Sequence, residues 1–450
     1  MRCRPGVLVI SALLLTSASA VQPLAQRALS PQQLARIWDE EHVSPPLPPL
    51  ITHADLVKRL RDLTEASPGL FRIEKVGESV EGRAINLVQA GTGDFHVLLW
   101  SQMHGDEPTA TAALFDIWDY LRTRQNDPSV RRMLSNLTLD MLPMVNPDGA
   151  DRFQRRNAQG IDINRDALRL QTPEGRTLKA VRDRFQPRVG FNLHNQNWRT
   201  SVGAPPRPAS ISLLSVVYDE AGSENAGRTL TKKLCAVIRD ALEPFASGQI
   251  GRYDDEFEVR AFGDNITLWG TPVVLIETGA WPSTEPDPPL VRLNFVAILA
   301  ALDSLATGAV NRADPRRYES LPMNESNVLY MLLKNATVIN GAGIPPFIAD
   351  IGLVANRRVQ ESKGRRTLQL TTTIEDMGDL RTFGALRTVD ATGMTIVPLV
   401  SDTLESGEIV DLPEWRTKQD VKIAVGERAR LAVLKRAAEP GNYQVELVVR

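Results

Sequence analysis

The chain has 450 residues, enough for two domains and at least one large buried core. Its 52 lysines and arginines are balanced by 54 aspartates and glutamates. That balance excludes an electrostatic case for nucleic acid or an anionic membrane as partner.

The first twenty residues stand apart. Met1 to Arg4 give a short positive start, Gly6 to Leu15 an apolar run too short to span a bilayer, and Ala18-Ser19-Ala20 a small-residue cleavage site. Residues 1–20 therefore read as a signal peptide cut after Ala20, which predicts a secreted or periplasmic protein. Cys3 leaves with it, so Cys235 has no internal disulfide partner. No later run reads as long and apolar enough to cross a membrane. Residues 21–51 form a polar lead-in with a short helix and the proline-rich "SPPLPPL".

From Thr52 the pattern becomes globular. Thr52 is the expected cap of a helix that stops at Pro68-Gly69. "FRIEKVGESVEGRAINLVQAG" reads as two strands around a turn, and "FHVLLW" as a buried strand before a helix over Glu107–Arg122. "LTLDMLPMVN" is a strand, "RTLKAVRDRF" a helix, "VGFNLHN" a strand, "TLTKKLCAVIRDALEPF" a helix, and "TPVVLIETG" a strand before a closing helix. The alternation implies an α/β domain over 52–308. Its central sheet should be mixed and largely parallel, with helices on both faces. Residues 309–327 read as a polar, helix-breaking linker. From 328 to 450, short segments such as "VLYMLLKNATVING", "ADIGLV", "TLQLTTTI", "VKIAVG" and "YQVELVV" predict an all-β sandwich module.

Among five histidines, His42, His53 and His96 lack a partner at ligand spacing and read as structural or solvated. His104 and His194 differ, because each follows an apolar strand, where an α/β sheet brings groups together. His104 and Glu107, three apart at a strand-to-helix turn, can reach one ion, and His194 is the best remaining third ligand. Catalytic zinc commonly takes three protein ligands and leaves a position for water. Glu277 ends a wholly apolar strand, where an idle carboxylate is costly to bury.

"GESVEGRAI", "HGDE", "NPDG", "RRNAQGIDINRD", a histidine ending a strand and a glutamate ending a late strand occur in this order. Over Thr52 to about Leu305 the chain thereby resembles zinc carboxypeptidases of the carboxypeptidase A type. The resemblance implies one zinc ion held by His104, Glu107 and His194, with Asp162 orienting the first histidine. It implies Glu277 as general base and acid and Arg155 as the group polarising the scissile carbonyl. Asn164 and Arg165 match the pair that holds the substrate's terminal carboxylate, and Tyr253 is the nearest match to the tyrosine that closes over substrate. The expected substrate is a peptide or small amide with a free carboxylate.

Several residues depart from that pattern. Asp106 stands where digestive members carry arginine, "NQNW" follows His194, and Gly263 falls near the pocket residue that sets side-chain preference. The C-terminal segments "RTVDATGMTIVP" and "IAVGERARLAVL" resemble the small β-sandwich beside the barrel of metal-dependent amidohydrolases. No histidine follows His194, so that module is expected to bind no metal and take no part in the chemistry. Two other readings stay open: a zinc amidase of cell-wall peptides or N-acyl amino acids on the same fold, and a binding module without activity.

Overall fold

The computed structural model describes residues 29–44, 50–283, 287–341, 343–363, 365–399, 401–411 and 422–450. The expected signal peptide lies outside the described residues. Helix α1 (Pro31–Glu41) starts at a capping box between Ser30 and Gln33. Helix α2 (His53–Ala66) starts at a second box between Thr52, the expected cap, and Asp55.

Strands β1 (Phe71–Glu78), β2 (Ala84–Ala90) and β3 (Phe95–Ser101) lead into helices α3 (Thr109–Thr123) and α4 (Pro128–Asn136). Strand β4 (Leu137–Leu142), the short helix α5 (Pro147–Arg152), helix α6 (Pro173–Phe185) and strand β5 (Val189–Asn195) follow. A two-stranded ribbon, β6 (Ser201–Val202) with β7 (Arg207–Pro208), precedes β8 (Ile211–Ser215) and the long helix α7 (Ala226–Ala246). Then come β9 (Ile250–Arg252), α8 (Phe262–Leu268), β10 (Val273–Thr278) and α9 (Asp287–Thr307).

Eight of these strands form one sheet in the order β1-β2-β4-β3-β5-β10-β8-β9. Its middle, β4-β3-β5-β10, is parallel, while β1, β2 and β8 join antiparallel. Alternation along β3 shows why both faces are covered. Val97 and Leu99 enter the core shared with α1, α2, α3, α7 and α9, whereas Leu98 and Trp100 enter the core shared with α6 and α8. Strands β3, β5 and β10 all end at one edge. There Glu277 lies in register with His194, side by side on neighbouring parallel strands.

Helix α9 corrects the sequence reading on membranes. It has 21 residues, and an 18-residue stretch of it has mean hydropathy 1.6, so it is long and apolar enough to cross a bilayer. It is apolar around its circumference because it is a core helix, packed against α1, α3, α4 and α7, with Leu293, Phe295, Ile298 and Leu302 buried.

The segment read as a linker is packed rather than loose. It holds a 3₁₀ turn at Ala309–Arg312 and helix α10 (Arg316–Glu319), in which Tyr318 is buried and accepts a hydrogen bond at its hydroxyl from Ser215 N (3.1 Å). Beyond it, Glu325 pairs with Ser201 and Met323 with Arg252, so the segment extends the ribbon and the sheet edge.

The second sheet comprises β11 (Val328–Val338), β12 (Phe347–Ser362), β13 (Arg365–Gly378), β14 (Gly384–Asp390), β15 (Thr395–Pro398), β16 (Ile409–Asp411), β17 (Leu431–Arg436) and β18 (Asn442–Val449). Its strands are hydrogen-bonded in the order β13-β12-β11-β15-β17-β18-β16, with β14 paired to β11. Strand β11 pairs with β14 through Lys334, turns at Asn335 (φ 58°), and then pairs with β15 from Thr337. This break lets the sheet fold around Leu333, Ile351, Ile396 and Val433. The expected strand "VKIAVG" is absent over Lys422–Gly426. The Asn340 side chain replaces a ladder there: its Nδ2 donates to Ile423 O and its Oδ1 accepts from Ile423 N, both at 2.7 Å.

This sheet is fastened to the first. Arg357 on β12 forms a two-pronged ion pair with Asp287 at the start of α9 (2.7 and 2.6 Å). The same guanidinium lies over Trp198, 4.6 Å from the ring centre, and Arg199 pairs with Glu375.

Candidate active site

The strand ends deliver the residues. After β3 the chain turns at Gln102 (φ 49°) and brings His104 inward. Gly105 has to be glycine: a Cβ there would sit 2.0 Å from the backbone of Gly149. That backbone belongs to "NPDG", where the Asn146 side chain caps α5 by accepting from Gly149 N (2.9 Å). Asp148 in the same turn accepts from Ser79 Oγ and Arg83 Nη1, both at 2.7 Å. Thus "GESVEGRAI" and "NPDG" are two halves of one buried fastening beneath the loop that carries His104.

His104, Glu107 and His194 meet at one point, all buried, with donor atoms within 4.8 Å of one another. His104 Nδ1 lies 2.8 Å from Glu107 Oε1, 3.1 Å from His194 Nδ1 and 3.1 Å from Arg155 Nη1. His194 Nδ1 lies 2.7 Å from Glu107 Oε2, which also accepts from Asn195 N (3.0 Å). One proton on one imidazole nitrogen cannot serve all these neighbours. Two imidazole nitrogens and a carboxylate aimed at a common point are the donor set of a divalent metal, and three protein donors suit catalytic zinc. The residues therefore fit the ion. Among the described residues no other group of three ligating side chains of this kind occurs.

Asp162 stands behind His104, 3.2 Å from its Nε2, and accepts from Arg155 Nε (2.9 Å) and Asn164 N (2.9 Å). Burial disfavours a charged imidazole at His104, but Glu107 and Asp162 outweigh it and push the pKa up to about 9. Glu107 is the converse. Burial raises it, yet the two histidines hold it well below the usual carboxylate range. His194 is pushed down, chiefly by burial, and its Nε2 is buried with no partner.

Glu277 is buried and its Oε2 has no hydrogen-bond partner. Burial, then the neighbouring Glu107 charge, push its pKa well above the ordinary value. It faces a cavity of about 380 Å³ lined also by His104, Glu107, His194, Arg155, Asn164, Arg165 and Tyr253. The structure thus brings eight of the nine singled-out residues to one cavity wall, with Asp162 just behind it. Arg165 is half-exposed and 3.4 Å from Glu258, which Arg260 also holds. Asn164 Oδ1 accepts from Phe262 N (2.8 Å), fixing the "DINRD" turn against α8. The Tyr253 hydroxyl is pushed up to about 12 by burial and by Glu277 and Glu107.

Two features were not singled out from the sequence. Asn195, next to His194, anchors Glu107 and donates from Nδ2 to Thr109 Oγ1 (2.7 Å), and its position after the histidine was an available signal. Asn324 to Ser326 also line the cavity, placed there by the pairing of Glu325 with Ser201, for which no local signal exists. Asp106 opens onto a second cavity rather than this one. The remaining histidines have other roles: His96 pairs with Asp140 (2.7 Å), His53 meets Ala84 O (3.0 Å) and His42 meets Trp38 O (2.9 Å).

Residues 56–243 match the family model described as zinc carboxypeptidase. Carboxypeptidase SOL1 of Arabidopsis thaliana is 28% identical over 123 residues, which are 26% of this chain and 25% of that protein. Carboxypeptidase E of Caenorhabditis elegans is 30% identical over 134 residues, 25% of this chain and 28% of that protein. The chain thus matches about a quarter of the length of these curated relatives. A metallo-carboxypeptidase from Burkholderia cenocepacia superposes with a TM-score of 0.45 at 18% identity, covering 56% of this chain and 69% of that one. His104, Glu107, Arg155, Asp162, Asn164, Arg165 and His194 fall within the matched segment, while Tyr253 and Glu277 lie beyond it.

Proposed function

We propose that this chain, whose residues 56–243 match the zinc carboxypeptidase family, is an exported metallocarboxypeptidase that removes residues from the carboxyl end of peptides. One observation carries the reading. A buried, unpartnered carboxylate, Glu277, shares a cavity with three convergent metal donors and with two arginines, Arg155 and Arg165.

In this reading His104, Glu107 and His194 hold one zinc ion. When bound, zinc lowers the pKa of a coordinated water and polarises a carbonyl. Asp162 accepts at His104 Nε2 and so keeps Nδ1 free to ligate. Glu277 takes a proton from the attacking water and returns it to the leaving amine. Its burial strengthens it as a base. Arg155 supplies N–H donors for the oxyanion. Arg165, helped by Asn164, grips the terminal carboxylate with a planar fork that lysine lacks. Tyr253 covers the bound residue. Residues 52–308 carry this chemistry, and residues 1–20 direct export.

Peptides with a free carboxyl terminus should be cut far faster than their amidated twins. Arg165→Ala should shrink that ratio by about 10- to 100-fold, the worth of a hydrogen-bonded charge pair. The check is kcat/KM on matched peptides with wild type and variant. Equal rates on free and amidated peptides would reject the exopeptidase and leave an amidase acting elsewhere on its substrate.

A further inference from the structure

Two cavities share one wall. Beside the metal-donor cavity lies a second, of about 270 Å³, and both are lined by Glu107, Asn195, Gln196 and Asn197. Neither Arg155, Arg165, Tyr253 nor Glu277 lines the second one. Its wall is completed by Asp106, by Asp287, and by Ala355, Asn356 and Arg357 from β12 of the second sheet. The wall shared by Glu107 and Asn195 to Asn197 is the route by which a substrate held at Arg165 would reach the second cavity.

The polar groups there are unequal. Asp287 is neutralised by the two-pronged pair with Arg357. Asp106 has no ion pair among the described residues, and its Oδ1 is buried with no hydrogen-bond partner. Asn195 Oδ1 is likewise buried and unpartnered. Apart from Glu107, Asp106 is therefore the acidic side chain on this wall that no cation pairs among the described residues. An ammonium group in the cavity would give that carboxylate the positive partner it lacks.

We propose that the second cavity is the subsite for the substrate residue on the amino side of the cleaved bond, that it selects an ammonium group, and that the C-terminal sheet supplies its outer wall. This rests on the peptidase reading above. The sheet then becomes part of the binding site instead of a passive neighbour. The ammonium has two natural sources, a lysine side chain or a free amino terminus.

The test uses the zinc-loaded full chain and short peptides with one C-terminal residue. N-acetylated substrates carry lysine, norleucine or glycine before the scissile bond, and a parallel set leaves the amino terminus free. One ammonium source should raise kcat/KM by about tenfold or more, as lysine over norleucine or as free over acetylated. The winning arm identifies the source. Asp106→Asn should collapse that ratio toward one, with zinc content measured in parallel. Ala355→Leu, which narrows the wall on the β12 side, should cost the lysine or norleucine peptide about fivefold more than the glycine peptide. Hydrolysis of all peptides at similar rates overturns the subsite alone, as does a ratio that survives Asp106→Asn. An Ala355→Leu variant with no dependence on residue size removes the sheet from the site. Failure to cut any peptide overturns the peptidase reading and takes the subsite with it.

Discussion

Glu277→Gln should keep the zinc and the fold and lower kcat by roughly 10²–10⁴-fold, the span that a positioned general base contributes. The amide matches the carboxylate in size but cannot accept the water's proton. Stability provides an independent check. Burial raises the Glu277 pKa in the folded state, so its contribution is greatest below the ordinary carboxylate pKa and is lost as pH rises through the raised value. Above the ordinary carboxylate pKa the buried, unpartnered group therefore weighs against folding, and metal-free Glu277→Gln should melt no lower than wild type. A zinc-loaded variant with near-normal kcat would place the base elsewhere.

His104→Ala and His194→Ala should each abolish tight zinc binding. Removing a group that merely orients a ligand costs about 10–100-fold in affinity or activity, and removing a ligand itself should cost more. The two variants differ in what they leave behind. His104 lies between Glu107 and Asp162, so its loss leaves two buried carboxylates without their shared partner. His194 touches Glu107 alone of these, and its loss should disturb the metal-free fold less. Metal analysis after dialysis against a weak chelator checks the first claim, and thermal unfolding of the metal-free proteins checks the second. One equivalent of tightly held zinc in either variant would remove that histidine from the ligand set.

Much of the site was legible because its residues sit at strand ends. A histidine and a glutamate three apart after "FHVLLW", a histidine closing "VGFNLH" and a glutamate closing "VVLIE" each interrupt an apolar run where the chain leaves the sheet. The parallel register of β5 and β10 then sets His194 beside Glu277. The alternation of strands with helices along the chain anticipated helices on both faces. What the sequence did not disclose depends on long-range pairing. The segment before Val328 is polar and rich in helix breakers, yet its bridges to Ser201 and Arg252 make it a wall of the cavity. The run "VKIAVG" has strand composition, but Asn340 supplies the hydrogen bonds that a neighbouring strand would have made. Helix α9 has the composition of a membrane span because the sheet and four other helices cover it.

The central claim is that the convergent donors and Glu277 serve an exopeptidase acting at the carboxyl terminus. Its most direct test incubates the zinc-loaded protein with a mixed peptide library and reads the products by mass spectrometry. The expected products are peptides shortened stepwise from the carboxyl end, with amidated members intact and activity lost on zinc removal and restored on its return. Internal cleavage, trimming from the amino end, or turnover that persists without metal would contradict it.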